Sequence, residues 1–87
     1  MAQKTVETQS LKLAAEGLEK YILEVQESIK QMKNAAIDCS DNLDHDVYTT
    51  RAINDLEECV VELNKGLEEA KNLREKIINR YNAIINT

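Results

Sequence analysis

The stretch LKLAAEGLEKYILEVQESIKQMKNAAIDCSDNL, residues 11–43, decides the fold. Apolar or small residues stand at Leu11, Ala15, Leu18, Ile22, Val25, Ile29, Met32, Ala36, Cys39 and Leu43. Their spacing alternates between four and three without a miss, which is the heptad seam of a long helix that packs on another helix. A seam is a packing surface and carries no reaction, so the function is to be sought in binding.

A second seam follows. Ile53, Leu56, Val60, Leu63, Leu67, Ala70, Arg74, Ile77, Tyr81 and Ile84 again alternate by three and four. Arg74 is the single polar member. Its aliphatic stem can lie on the seam while its head reaches water, and Leu73 beside it is a candidate to take over the packing. Between the seams lies Ser40-Asp41-Asn42-Leu43-Asp44-His45-Asp46, where short polar side chains compete for backbone hydrogen bonds and favour a turn. The reading is all-α: one antiparallel helical hairpin with a first helix over about 8–40, a turn over about 40–48 and a second helix over about 48–85. Residues 1–7 read as a loose lead-in, with Thr8 or Ser10 as the first N-cap. Each helix would be about 50 Å long.

Composition agrees. The 87 residues contain no Pro, Trp or Phe and only 2 Gly, so almost every position tolerates a helix. No apolar run approaches the ~18 residues of a membrane-spanning helix. The opening MAQKTVETQS has no apolar core behind its charge, so no cleavable secretory signal is expected. A net charge of -5, with 11 bases scattered among 16 acids, argues against nucleic acid and against a polybasic membrane anchor. Cys39 and Cys59 would stand roughly 12 Å apart along the hairpin, beyond disulfide reach, and read as reduced packing residues.

The two flanks of the seam differ. With the turn near residue 45, facing residue numbers sum to about 90. On one flank this pairs Glu19 with Lys71, Gln26 with Asn64 and Lys33 with Glu57, with Lys12 and Ile78 completing the rows. The other flank carries Ala14, Tyr21, Ser28 and Ala35 from the first helix, and Ala52, Cys59, Gly66 and Leu73 from the second. None of these eight is charged, whereas a solvent-facing flank usually is. The expectation is an interface, with dimerisation into a four-helix bundle burying this second stripe.

Catalytic and metal chemistry find little support. Asp38, Cys39, Asp41, Asp44, His45 and Asp46 are potential ligands around the turn. Their spacing fits neither a zinc motif nor an EF-hand loop, which needs a central Gly, and capping acids with a solvated histidine are the simpler reading. No phosphate-binding Gly-rich loop or nucleophile elbow is present. Neither an enzyme, a metal nor a cofactor is expected. Tyr48 and Tyr81 read as packing residues.

The layout resembles the small W-x-G proteins of type VII secretion in Gram-positive bacteria. The likeness spans nearly the whole chain and rests on Val6-Glu7-Thr8-Gln9-Ser10-Leu11, then Ala14-Ala15, Leu18, Ile22 and Ile29, with one central turn and a second amphipathic helix. Leu43 and His45 stand in the places of the family's turn tryptophan and glycine. Tyr81 is followed by Asn82-Ala83-Ile84-Ile85, without the family's acid four residues later. Some companions of LXG toxins are similar hairpins without an intact W-x-G. The resemblance implies a four-helix bundle formed as a homodimer or a heterodimer. It also implies a cytoplasmic protein that is then secreted, or one that partners the N-terminal helical domain of an LXG effector. The turn around Leu43, His45 and Tyr48 would complete a bipartite recognition surface with that partner. The alternative function is a structural or adaptor coiled-coil hairpin unrelated to secretion.

Overall fold

The computed structural model describes residues 2–87, with side chains from Lys4 onward. Helix α1 runs Ala2–Asn42 and helix α2 runs Val47–Ile85. They lie antiparallel, side by side, in a rod measuring 65 × 15 × 15 Å. The described residues form an all-α helical hairpin with no strand.

Of the twenty seam positions, nineteen are buried or half-buried, and only Leu43 is exposed. Ile22, Val25 and Ile29 of α1 meet Val60, Leu67 and Ala70 of α2, with Leu18, Met32 and Leu63 packed around them. Ile84 is buried separately, toward the open end of the hairpin. Three departures from expectation concern the ends and the seam. Residues 2–7 are not a loose lead-in but the first turns of α1. No Gly or Pro interrupts this segment, and Glu7 is held to α2 by Arg80 at 3.0 Å. Thr8 is therefore a helix-interior residue rather than a cap, its hydroxyl donating back to the Lys4 and Thr5 carbonyls at 3.1 and 2.9 Å. Ser10 is likewise mid-helix and exposed. Arg74 keeps its place on the seam, half-buried, and Leu73 does not displace it: that leucine stays 50% exposed.

The turn is made by local chemistry. At the end of α1 the Leu43 N–H donates to the Cys39 carbonyl at 3.2 Å. The His45 ring Nε2 lies 2.7 Å from the Ser40 carbonyl, and together these satisfy two of the carbonyls that a helix end leaves unpaired. Asp46 then caps α2. Its backbone is extended, and its carboxylate accepts the Thr49 N–H at 2.7 Å. That amide bond, helped by the Thr49 hydroxyl and the Tyr48 amide, holds the Asp46 carboxyl below the usual aspartate value against a small opposing desolvation.

Two helices cannot enclose a core. The seven best-buried residues each keep 6–9% of their surface, and no described side chain is sealed from water. The accessible surface is 6640 Å², against about 5,200 Å² for a typical folded monomer of this mass. The surplus, roughly 1,400 Å², is the geometric consequence of a rod only two helices thick.

Candidate functional site

The register is set by contacts between the helices. Arg80 grips Glu7 through Nη2 and Nε at 3.0 and 3.2 Å. Lys4 reaches Thr87 at 3.5 Å, and Arg74 reaches Glu19 at 3.5 Å. Glu7 and Arg80 occupy the same heptad positions as the uncharged flank, one heptad before Ala14 and one after Leu73. Carrying their pairing inward in heptad steps places Ala14 opposite Leu73, Tyr21 opposite Gly66, Ser28 opposite Cys59 and Ala35 opposite Ala52. One continuous flank thus runs along the hairpin, closed at the open end by an ion pair.

That flank is uncovered in the single chain. Ala14, Ser28, Ala35, Ala52 and Cys59 are exposed, and Gly66 is half-buried. Tyr21 is 47% exposed. Cys59 is free and exposed, so it does not pack within the hairpin as expected; half-buried Cys39, also free, lies on the seam. Gly66 sits deep in α2 with an ordinary helical backbone. A Cβ added there would meet nothing within 4 Å. Neither backbone strain nor crowding inside the chain calls for a glycine at this position.

The opposite flank is lined with charge. Glu19 finds Arg74 rather than Lys71, which pairs with Glu68 on its own helix at 3.7 Å. Arg74 wins because its seam position places a long, forked cation directly across from Glu19. Its Nε is buried and has no partner among the described residues. Glu19 and Lys71 still border one groove, as do Lys12 and Ile78, and Lys33 and Glu57. This flank also carries exposed aliphatic residues that sequence reading passed over: Leu23, Ile37 and Val61. The signal was present, since the heptad count places all three off the seam.

At the tip, Leu43, His45 and Tyr48 are all exposed, with Tyr48 at 81%. Tyr48 is therefore not a packing residue, whereas Tyr81 is half-buried on the seam. Val47, also missed, is 70% exposed beside it. His45 has a local partner in the Ser40 carbonyl and so ends α1, while Leu43, Val47 and Tyr48 are the side chains left free to meet another molecule. No group of His, Cys, Asp and Glu among the described residues has the arrangement of a metal site. No described helix is long and apolar enough to cross a membrane. What the site can do chemically is dock apolar surface. No family model matches the chain, and no curated protein or solved structure matches it either.

Proposed function

We propose that this chain is a protein-binding hairpin of a type VII secretion system, exported itself or acting as the targeting partner of a larger secreted effector. One observation carries the reading: an uncharged flank runs the length of the hairpin and is left uncovered, with Tyr21 and Leu73 half-exposed along it. Such a flank accepts the apolar face of a helix or helix pair. The partner would be a helical protein such as the N-terminal domain of an LXG effector, bound as a heterodimeric bundle. Leu43, Val47 and Tyr48 at the tip would supply a second contact. The host would be a Gram-positive bacterium, with the complex assembled in the cytoplasm before export.

The test is co-expression with the N-terminal helical domain of an LXG effector from the same genome, followed by size exclusion with light scattering. A one-to-one complex that is lost in Tyr21→Glu and in Gly66→Arg, and kept in Lys33→Glu on the opposite flank, supports the proposal. Absence of a complex with the wild-type chain overturns it. That result favours the adaptor coiled-coil reading, which already draws on Leu43 and His45 standing where the secreted hairpins have Trp and Gly.

A further inference from the structure

We infer that the open end of the hairpin is a separate opening unit with Arg74 as its boundary. Residues 7–18 and 75–85 part from each other together, while the central block stays paired. The inference concerns the seam and holds whether or not the uncharged flank binds a partner. Three observations carry it.

The first is a gap in the core. The packed cluster ends at Ile22 on α1 and at Ala70 on α2. Leu18 packs against that cluster, but Leu11, Ala15, Ile77 and Tyr81 beyond it are only half-buried. Full burial returns at Ile84, which is not part of the cluster.

The second is what occupies the gap. Arg74 is the only charged residue among the seam positions. It lies between two grooves of about 270 and 230 Å³, and Arg74 and Glu19 line both of them. Its Nε is buried without a partner among the described residues, and its Nη2 reaches Glu19 only at 3.5 Å. A charge on a helix–helix seam weakens the pairing there, and a desolvated N–H left unpaired adds to that cost. Packed neighbours transmit cooperativity along a seam, so this weak layer uncouples its two sides.

The third is the chemistry that closes the end. Besides Ile84, the closing contacts are exposed polar pairs: Arg80 with Glu7 at 3.0 Å and Lys4 with Thr87 at 3.5 Å. Exposed ion pairs are weak and are screened by salt. The other end of the rod has no such freedom, because the turn at residues 43–46 joins the helices covalently. Once parted, arms this short are marginal as isolated helices in water, so parting and unwinding are one event. The opening uncovers Leu11, Leu18, Ile77 and Tyr81. It leaves the central core and the flank around Tyr21, Ser28, Cys59 and Gly66 in place.

The experiment is native-state amide hydrogen exchange on the full chain, read by NMR over a series of low urea concentrations. Amides of 7–18 and 75–85 should converge on one common opening equilibrium. Their protection should lie at least about tenfold below that of 22–29 and 60–70. Glu7→Gln, or salt at about 0.5 M, should lower the protection of the open end by roughly two- to five-fold and leave the central block unchanged. Arg74→Leu should raise the open end toward the central block and erase the step. Arg74→Met, which keeps an apolar stem and loses the charge, should act in the same direction.

Protection that declines residue by residue toward the termini, with no common value, overturns the unit and leaves ordinary end fraying. Equal protection of the two blocks in wild type also overturns it. A step that stays in place in both Arg74→Leu and Arg74→Met overturns Arg74 as the boundary. None of these outcomes bears on the co-expression test of the uncharged flank, so the two readings fail separately.

Discussion

The two flanks of this hairpin border the same seam but are built from opposite chemistries. One carries Lys12, Glu19, Lys33, Glu57 and Lys71 along its length, and its ion pair between Glu19 and Arg74 joins the helices directly. The other carries no charge from Ala14 to Ala35 or from Ala52 to Leu73 on its row, and ends in the pair between Glu7 and Arg80. Water satisfies the first flank, because its charged heads stay hydrated and shield the apolar stems beneath them. The second offers water nothing but small side chains, Tyr21 and Leu73. A helical hairpin needs both seams to form, but it needs neither flank to be bare. The stability of the hairpin therefore does not explain the bare flank.

The largest effect should come from the seam that both flanks share. Leu67→Ala removes one of the best-buried side chains and should cost about 2–5 kcal/mol in chemical denaturation. The result would be a chain substantially less helical by circular dichroism. If Leu67→Ala is neutral, the seam does not hold the helices together and the comparison of flanks loses its basis.

The two glycines sharpen the comparison. Gly17 and Gly66 both lie in helices with ordinary backbone conformation and open space at Cβ. Changing either to Ala should stabilise a single hairpin by up to about 1 kcal/mol through helix propensity. Gly17 is off both flanks, whereas Gly66 is on the uncharged one. Gly17→Ala should therefore raise Tm at every concentration. Gly66→Ala should weaken association at the uncharged flank, so its gain in Tm should be smaller than that of Gly17→Ala wherever that flank is occupied. Identical behaviour of the two variants would mean that the uncharged flank is not a contact surface.

The turn provides a smaller effect with a defined pH sign. The Thr49 amide holds the Asp46 carboxyl below its ordinary value in the folded chain. A depressed folded value contributes stability that is present above the unfolded pKa, about 3.9, and is lost as pH falls through the folded value. Melting temperature should drop below about pH 4 by more in wild type than in Asp46→Asn, which keeps a capping oxygen that does not titrate. Asp46→Ala at neutral pH should lower Tm by roughly 4–8 °C for a small domain.

The smallest effect belongs to the charged flank. Glu19→Gln should change stability by less than about 1 kcal/mol, because the pair is solvent-accessible and screened by salt. It should leave association unchanged. A larger loss of association from Glu19→Gln than from Tyr21→Glu would reverse the assignment of the two flanks.

Much of this molecule was legible because heptad spacing reports burial directly. Ile22, Val25, Ile29, Val60, Leu67, Ala70 and Ile84 all fall on the seams read from spacing alone, and they are the buried core. The turn was legible from its short polar side chains, and Asp46 caps α2 as such residues do. The start of α1 was not, because residues 2–7 have neither a strong pattern nor a breaker, and propensity alone places no boundary there. The partner of Glu19 was not either. Lys71 and Arg74 are both within sequence reach, and only the packed position of the guanidinium selects between them.

Residue order alone settles that this chain is two long helices joined by one turn, which faces they bury, and which flank lacks charge. Those properties follow from the period of a helix and from the side chains placed on it, and they hold before any atom is positioned. Packing in three dimensions was needed for the rest: the core stays thinly covered, Arg74 keeps its seam position with a buried, unpartnered Nε, and the space beside Gly66 is open. These depend on how far apart two helices settle and on which long side chains win a shared partner, and residue spacing does not encode such distances.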